Sequence, residues 1–208
     1  KQQEGTYIDT ELRYSVIQDK RDQSFKPTEG YRASFNQKLP LYSESPSLIN
    51  GIDYSAYHSF SDNLIGSLRF HGRAINSLSS SEDVKLSERL SIPGKYLRGF
   101  EVGKIGPVDA SDYIGGNYVT ALGFNAALPK LLPNLTNADV SLFLDTGNVW
   151  GIDYDTNIDE SNKLRSAFGV SVDWFTPIGP LSFSFSEAIT SASTDKPESF
   201  RFNIGTTF

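Results

Sequence analysis

The feature that most constrains this chain is a two-residue alternation of apolar with small or polar side chains. Residues 181–186 read Leu-Ser-Phe-Ser-Phe-Ser, so in an extended strand Leu181, Phe183 and Phe185 share one face and Ser182, Ser184 and Ser186 the other. Residues 164–174 set Leu164, Ser166, Phe168, Val170, Val172 and Trp174 against Arg165, Ala167, Gly169, Ser171 and Asp173. At the C-terminus Phe200, Phe202, Ile204, Thr206 and Phe208 oppose Arg201, Asn203, Gly205 and Thr207. Residues 7–17 put Ile8, Thr10, Leu12, Tyr14 and Val16 opposite Asp9, Glu11 and Arg13. Weaker versions span 31–39, 50–60, 63–75, 117–128 and 139–150. No stretch sustains a helical i, i+3, i+4, i+7 pattern, and Gly and Pro interrupt every long segment. The reading is all-β, with about nine strands, a little longer than ordinary soluble ones.

Composition narrows the function classes. There is no Cys, hence no disulfide framework, thiol nucleophile or thiolate metal site, and His58 and His71 alone cannot make a His-rich one. A net charge of −6 argues against nucleic acid as a partner, because backbone binding needs clustered Lys and Arg. No metal, cofactor or catalytic residue is expected. No apolar run approaches the ~20 residues of a membrane helix. A mean hydropathy of −0.33 suggests a soluble protein, yet transmembrane β-barrels have unremarkable averages because lipid-facing and lumen-facing residues alternate. Lys1-Gln2-Gln3 is no signal peptide, and the lack of an initial Met reads as a piece cut from a longer protein.

The Ser, Gly, Ala, Arg and Asn faces are polar for a sandwich core and suit a wet lumen, with the Phe, Leu, Val and Ile faces toward lipid. Trp150, Trp174 and Phe208 suit an interfacial girdle. Residues 173–180 read as a tight Pro/Gly turn, and 76–116 and 151–163 as long polar loops. Short turns at one end and long loops at the other are a barrel arrangement. Periodicity alone does not decide between a barrel and a soluble two-sheet sandwich.

Four motifs in order bear on that choice. They are Leu97-Arg98-Gly99-Phe100 with Ile105-Gly106-Pro107 and Gly115-Gly116-Asn117; Phe143-Leu144-Asp145-Thr146-Gly147-Asn148-Val149-Trp150; Trp174-Phe175-Thr176-Pro177-Ile178-Gly179-Pro180 with Leu181-Ser182-Phe183-Ser184; and Phe200-Arg201-Phe202-Asn203-Ile204-Gly205-Thr206-Thr207-Phe208. Together they resemble the C-terminal barrel half of the outer-membrane assembly factor BamA superfamily, strongly over 91–208 and more loosely over 7–75. The looser part rests on Asp19-Lys20-Arg21-Asp22 and Phe25-Lys26-Pro27-Thr28-Glu29-Gly30.

The resemblance implies an antiparallel transmembrane β-barrel domain over 1–208, covering the last eight or nine strands of a sixteen-stranded family barrel. The N-terminal strands and the periplasmic POTRA repeats would be absent. An open half-barrel would leave two edges unpaired in lipid, so closure on itself or pairing with another chain is expected. The function implied is insertion of outer-membrane proteins, without enzymatic activity. Partners would be the lipid bilayer, unfolded outer-membrane clients and assembly-machine lipoproteins. The location would be a Gram-negative outer membrane, or an organellar one. Alternatives are a translocase of the two-partner-secretion type in the same superfamily, and a small closed structural or engineered barrel without transport.

The family's long loop folds into the lumen, which makes Leu97, Arg98, Gly99 and Phe100 the expected loop motif and Asp145 and Asn125 its wall partners. Many relatives carry Glu where Asn125 stands, so a second ion pair is not expected here. Phe200, Phe202, Ile204, Gly205 and Phe208 match the family's C-terminal signal strand, which meets the first strand in a weak seam. Asp145-Thr146-Gly147 matches the aspartic-protease sequence, but no second copy exists to share a proton. Asp9, Glu11 and Arg13 read as a lumen ion network. Asn134-Leu135-Thr136 fits a glycosylation sequon at an expected periplasmic turn.

Overall fold

A computed structural model describes residues 8–132, 137–158, 160, 162–176 and 179–204. One antiparallel sheet dominates: β1 (Thr10–Asp19), β2 (Gly30–Tyr42), β3 (Ser47–Ser61), β4 (Leu64–Ser77), β7 (Tyr118–Leu128), β8 (Ala138–Trp150), β9 (Arg165–Thr176), β10 (Gly179–Thr190) and β11 (Phe200–Ile204). The nine strands pair strictly with their neighbours in chain order. A separate two-stranded ribbon, β5 (Val108–Asp109) and β6 (Asp112–Tyr113), stands within the β4–β7 connection.

The alternation read in the sequence becomes two physical faces. Along β8, Leu142 and Leu144 point outward and are exposed, while Ser141, Phe143 and Asp145 point inward and are buried. Along β10 and β11, Phe185 (56 % exposed), Phe200 and Phe202 are outward. Phe185 lies opposite Phe200 and Phe183 opposite Phe202 in the ladder, with ring centroids 5.1 and 5.0 Å apart. An outer band of exposed Leu, Phe and Ile on strands of up to 15 residues is the surface a bilayer solvates. Among the described residues no second sheet packs on it.

The sheet curves strongly. The β1–β2 turn, residues 20–29, reaches across to the far wall, where Lys26 pairs with Asp139 at 2.5 Å and Phe25 meets the Phe175 ring edge-on at 4.8 Å. Of the two expected arrangements, closure on itself or pairing with another chain, the first is not seen: among the described residues β1 and β11 share no ladder. A closed barrel of eight or nine strands has an interior just filled by its own side chains, whereas this sheet encloses a whole loop.

Connector lengths depart from the simple pattern. At one end lie the β1–β2, β3–β4, β7–β8 and β9–β10 connections; at the other lie 43–46, 78–117, the β8–β9 connection and 191–199. The 173–180 turn is tighter than read, because the strands run to Thr176 and restart at Gly179. The 78–117 connection is not simply polar: Val84, Ile92, Leu97, Phe100, Ile105 and Ile114 are all buried. Pro177, Ile178 and the 134–136 sequon lie outside the described residues.

Candidate functional site

Residues 78–117 form a strap that leaves β4, enters the concave side of the sheet and returns to β7. Its neck is closed by two reciprocal backbone bonds between Leu90 and Gly116, at 2.8 and 3.0 Å. Beyond the neck, Ile92, Leu97, Phe100 and Ile105 pack on Val119, Ala121, Val149 and Ala167 from the inner faces of β7, β8 and β9. At this level the lumen is a packed apolar core rather than the wet interior its small residues suggest. Those small residues leave the space that the strap's larger apolar side chains fill.

That packing delivers Arg98 to the wall. Its Nε donates to Asp145 Oδ2 at 2.7 Å and its Nη2 to Oδ1 at 2.8 Å, while the Arg98 backbone N–H adds a 3.0 Å bond to Oδ2. Nη2 also donates to Asn125 Oδ1 at 2.7 Å. The Asp145 side chain is 0 % exposed and that of Arg98 12 %. A guanidinium fork matches a carboxylate in this two-point geometry, and the pairing is stronger than a neutral hydrogen bond. Register explains why both partners are within reach: Asp145 sits opposite Gly123 and Phe143 opposite Asn125 across β7 and β8.

Two glycines make the approach possible. Gly99 has φ of +90°, and a Cβ there would lie 2.5 Å from Ala167 Cβ, so no other residue follows Arg98 so close to β9. Gly169 lies opposite Phe143, where a Cβ would strike the Phe143 ring. The ring uses that space to slide under Arg98, whose guanidinium carbon stands 3.6 Å from its centroid.

Phe143 is a member of the site that the sequence reading missed. The signal was available, since Phe143 has the same strand parity as Asp145. A second missed cluster lies on β3 and β4. His71 Nδ1 meets Asp53 Oδ1 at 2.7 Å, Arg73 donates to Asp53 Oδ2 at 2.6 Å, and Tyr96 of the strap donates its hydroxyl to Asp53 while stacking on His71 at 4.3 Å. A third is at the loop end. Arg165, fully buried, donates twice to Asp195 at 2.9 Å, to Asn148 at 2.6 Å and to Glu160 at 3.2 Å. Only the tertiary structure joins these loops.

The base of the strap is tied down by Asp153. It accepts from the Val84 N–H at 2.8 Å, from Asn117 at 3.1 Å and from Arg89. Burial works to raise the Asp153 carboxyl, but the Val84 N–H, Arg89 and Asn117 outweigh it and hold its pKa below the ordinary carboxylate value. On β1, Glu11 pairs with Lys38 at 2.8 Å and accepts from Arg13, and Lys38 bridges to Glu88 of the strap at 2.7 Å. Asp9 pairs with Lys85 of the strap at 3.1 Å. Asp9, just before β1, thus contacts the strap directly, and Glu11 reaches it through Lys38. Among the described residues no group of three or more His, Asp or Glu is placed to hold a metal ion.

Of the terminal strand, Phe200, Phe202 and Ile204 point outward and Arg201 and Asn203 inward. β11 pairs only with β10, leaving its other edge without a strand among the described residues. Gly205 and Phe208 lie outside them.

Comparison with known proteins agrees with this architecture. The family model described as the Omp85 superfamily domain matches residues 1–208. The outer membrane protein assembly factor BamA of Neorickettsia risticii is 27 % identical over 98 % of this chain and 28 % of its own length. That of Neisseria meningitidis serogroup B is 30 % identical over 54 % of this chain and 17 % of its own. The crystal structure of BamA from Haemophilus ducreyi lacking POTRA domains 1–3 superposes with a TM-score of 0.83 at 25 % identity, covering 92 % of this chain and 41 % of that one. The chain therefore spans under a third of the length of these curated relatives. The nine-stranded antiparallel wall superposes on part of that barrel, and the chain belongs to the Omp85 superfamily.

Proposed function

We propose that this chain is a single barrel domain, the C-terminal barrel portion of an outer-membrane protein assembly factor, whose Arg98 strap holds the wall in an insertion-competent shape. Its location is the outer membrane, as for its homologues. The observation that carries the proposal is the Arg98–Asp145 fork, buried inside the wall and flanked by the apolar anchors Leu97 and Phe100. A charge pair so far from water is strongly destabilised when half of it is removed, so it fixes where the strap sits.

Function then follows from the terminal strand. The β11 edge has backbone groups to offer, and an incoming β-segment can add to it by strand augmentation. Passing polar backbone into hydrocarbon is otherwise prohibitive. Such a seam would serve unfolded outer-membrane clients, in the lipid bilayer and with assembly lipoproteins, and needs no catalytic group. Export through the lumen would require the strap to leave its buried seat, which favours insertion over translocation.

The test is client insertion by the whole protein in lipid vesicles. Arg98→Ala should slow insertion of an unfolded β-barrel client while Lys130→Ala, on an exposed side chain, leaves it unchanged. Equal insertion by wild type and Arg98→Ala would defeat the proposal.

A further inference from the structure

The last strand and the lumen strap are joined by contacts that do not touch the Arg98–Asp145 pair itself. Arg201 is the inward residue of β11 next to Phe200, and its side chain is 11 % exposed. Its Nη1 donates to the Gly94 carbonyl at 2.9 Å and its Nη2 to the Phe100 carbonyl, both on the strap. Nε donates to Glu198 at 2.7 Å, which fixes the plane of the guanidinium. One side chain thus spans both ends of the segment that carries Arg98.

The backbone continues the connection. The Glu198 N–H donates to the Gly99 carbonyl at 2.9 Å, the Glu101 N–H to the Lys196 carbonyl at 2.9 Å, and the Lys196 N–H to the Lys104 carbonyl at 3.1 Å. Residues leading into β11 therefore run as an extended partner of the strap. Ser186 of β10 bonds the same segment through its N–H to Ser199 and its hydroxyl to Glu198. Gly94 is adapted to the contact: a Cβ there would collide with the Arg201 guanidinium and approach Val102.

We propose that Arg201 is a positioning residue that clamps the terminal strand to the lumen strap, so that β11 cannot swing outward while the strap keeps its seat. Through Arg98 the strap is held by β7 and β8, so the clamp couples those strands to the edge strand across the lumen. Its consequence for client insertion rests on the seam reading above; the mechanical coupling does not.

The experiment is hydrogen exchange of the β10–β11 ladder in the whole protein in lipid vesicles, with client insertion measured on the same samples. Charge-assisted bonds of this kind, once removed, should speed ladder exchange about tenfold in Arg201→Met. Gly94→Ala alters neither strand and should reproduce the effect by displacing the guanidinium, which keeps the test open if Arg201→Met folds poorly. Arg98→Ala should speed exchange when Arg201 is present and add nothing in the Arg98→Ala/Arg201→Met protein. Ladder exchange within twofold of wild type in both Arg201→Met and Gly94→Ala would overturn the clamp, as would independent, multiplying effects of Arg98→Ala and Arg201→Met. If exchange couples as stated but insertion is indifferent to every variant, the clamp stands and the seam function fails.

Discussion

Removing Asp145 should be worse for this barrel than removing Arg98. Asp145 lies in one row with Gly123 and Arg69 of β4, so its carboxylate faces two guanidinium groups, those of Arg98 and Arg69. Stranding a buried charge costs about 3–5 kcal/mol. For a domain of this size each kcal/mol moves the midpoint by about 2–4 °C, so a fall of about 6–20 °C is expected for Asp145→Ala, which leaves both cations without that carboxylate. Arg98→Ala/Asp145→Ala leaves one such cation, Arg69, in place of two and should recover part of that loss. Arg98→Ala alone should cost less than Asp145→Ala, because the Asp145 carboxylate loses two guanidinium bonds but keeps the backbone N–H of residue 98 and Arg69 nearby. The assay is thermal unfolding of the four proteins in one lipid or detergent at one scan rate, since such unfolding can be irreversible. Losses that add to within about 0.5 kcal/mol would show no coupling and refute the reasoning. So would a midpoint for Asp145→Ala equal to that of wild type.

Three further outcomes are expected. Arg165→Met strands Asp195, whose side chain is fully buried, and should cost about 3–5 kcal/mol, read as rapid tryptic cleavage at Lys196; continued protection of Lys196 would refute it. Asp153 has a folded pKa below its ordinary value of 3.8, so its stabilisation is complete above about that pH and lost as pH falls through the lower folded value. Exchange protection of the Val84 N–H should therefore hold at neutral pH and weaken only as the pH falls below the ordinary carboxylate value toward the lower folded one, and in Asp153→Asn the step should be absent. Leu142→Arg places a charge on the outer face, where Leu142 is 50 % exposed. It should cost about 2–4 kcal/mol in a bilayer if the residue sits near mid-depth, measured by denaturant titration in lipid, and an unchanged free energy would mean the residue does not face hydrocarbon.

Legibility differed between parts of the molecule. The two faces of β8, β9, β10 and β11 could be read directly, because side-chain direction in a strand follows from residue parity and needs no knowledge of partners. Leu97, Arg98, Gly99 and Phe100 with Asp145 and Asn125 came from ordered motifs resembling a known superfamily, and the structure places Arg98 on both wall residues. Phe143 escaped notice because an aromatic within an alternating strand reads as lipid-facing unless its parity is compared with that of Asp145. The apolar content of the 78–117 strap was masked by its many Ser, Glu and Gly residues, which hide a sparse set of anchors without period.

By itself, then, the sequence determined an antiparallel β-wall with one greasy and one small or polar side, because alternation is a local property of each strand. Only the tertiary structure decided that the sheet stays open around a strap, that Arg165 meets Asp195, and that Arg201 grips the carbonyls of Gly94 and Phe100. Those contacts join segments up to 107 residues apart. They depend on ladder register and on the path of a loop through the lumen, and no local pattern encodes either.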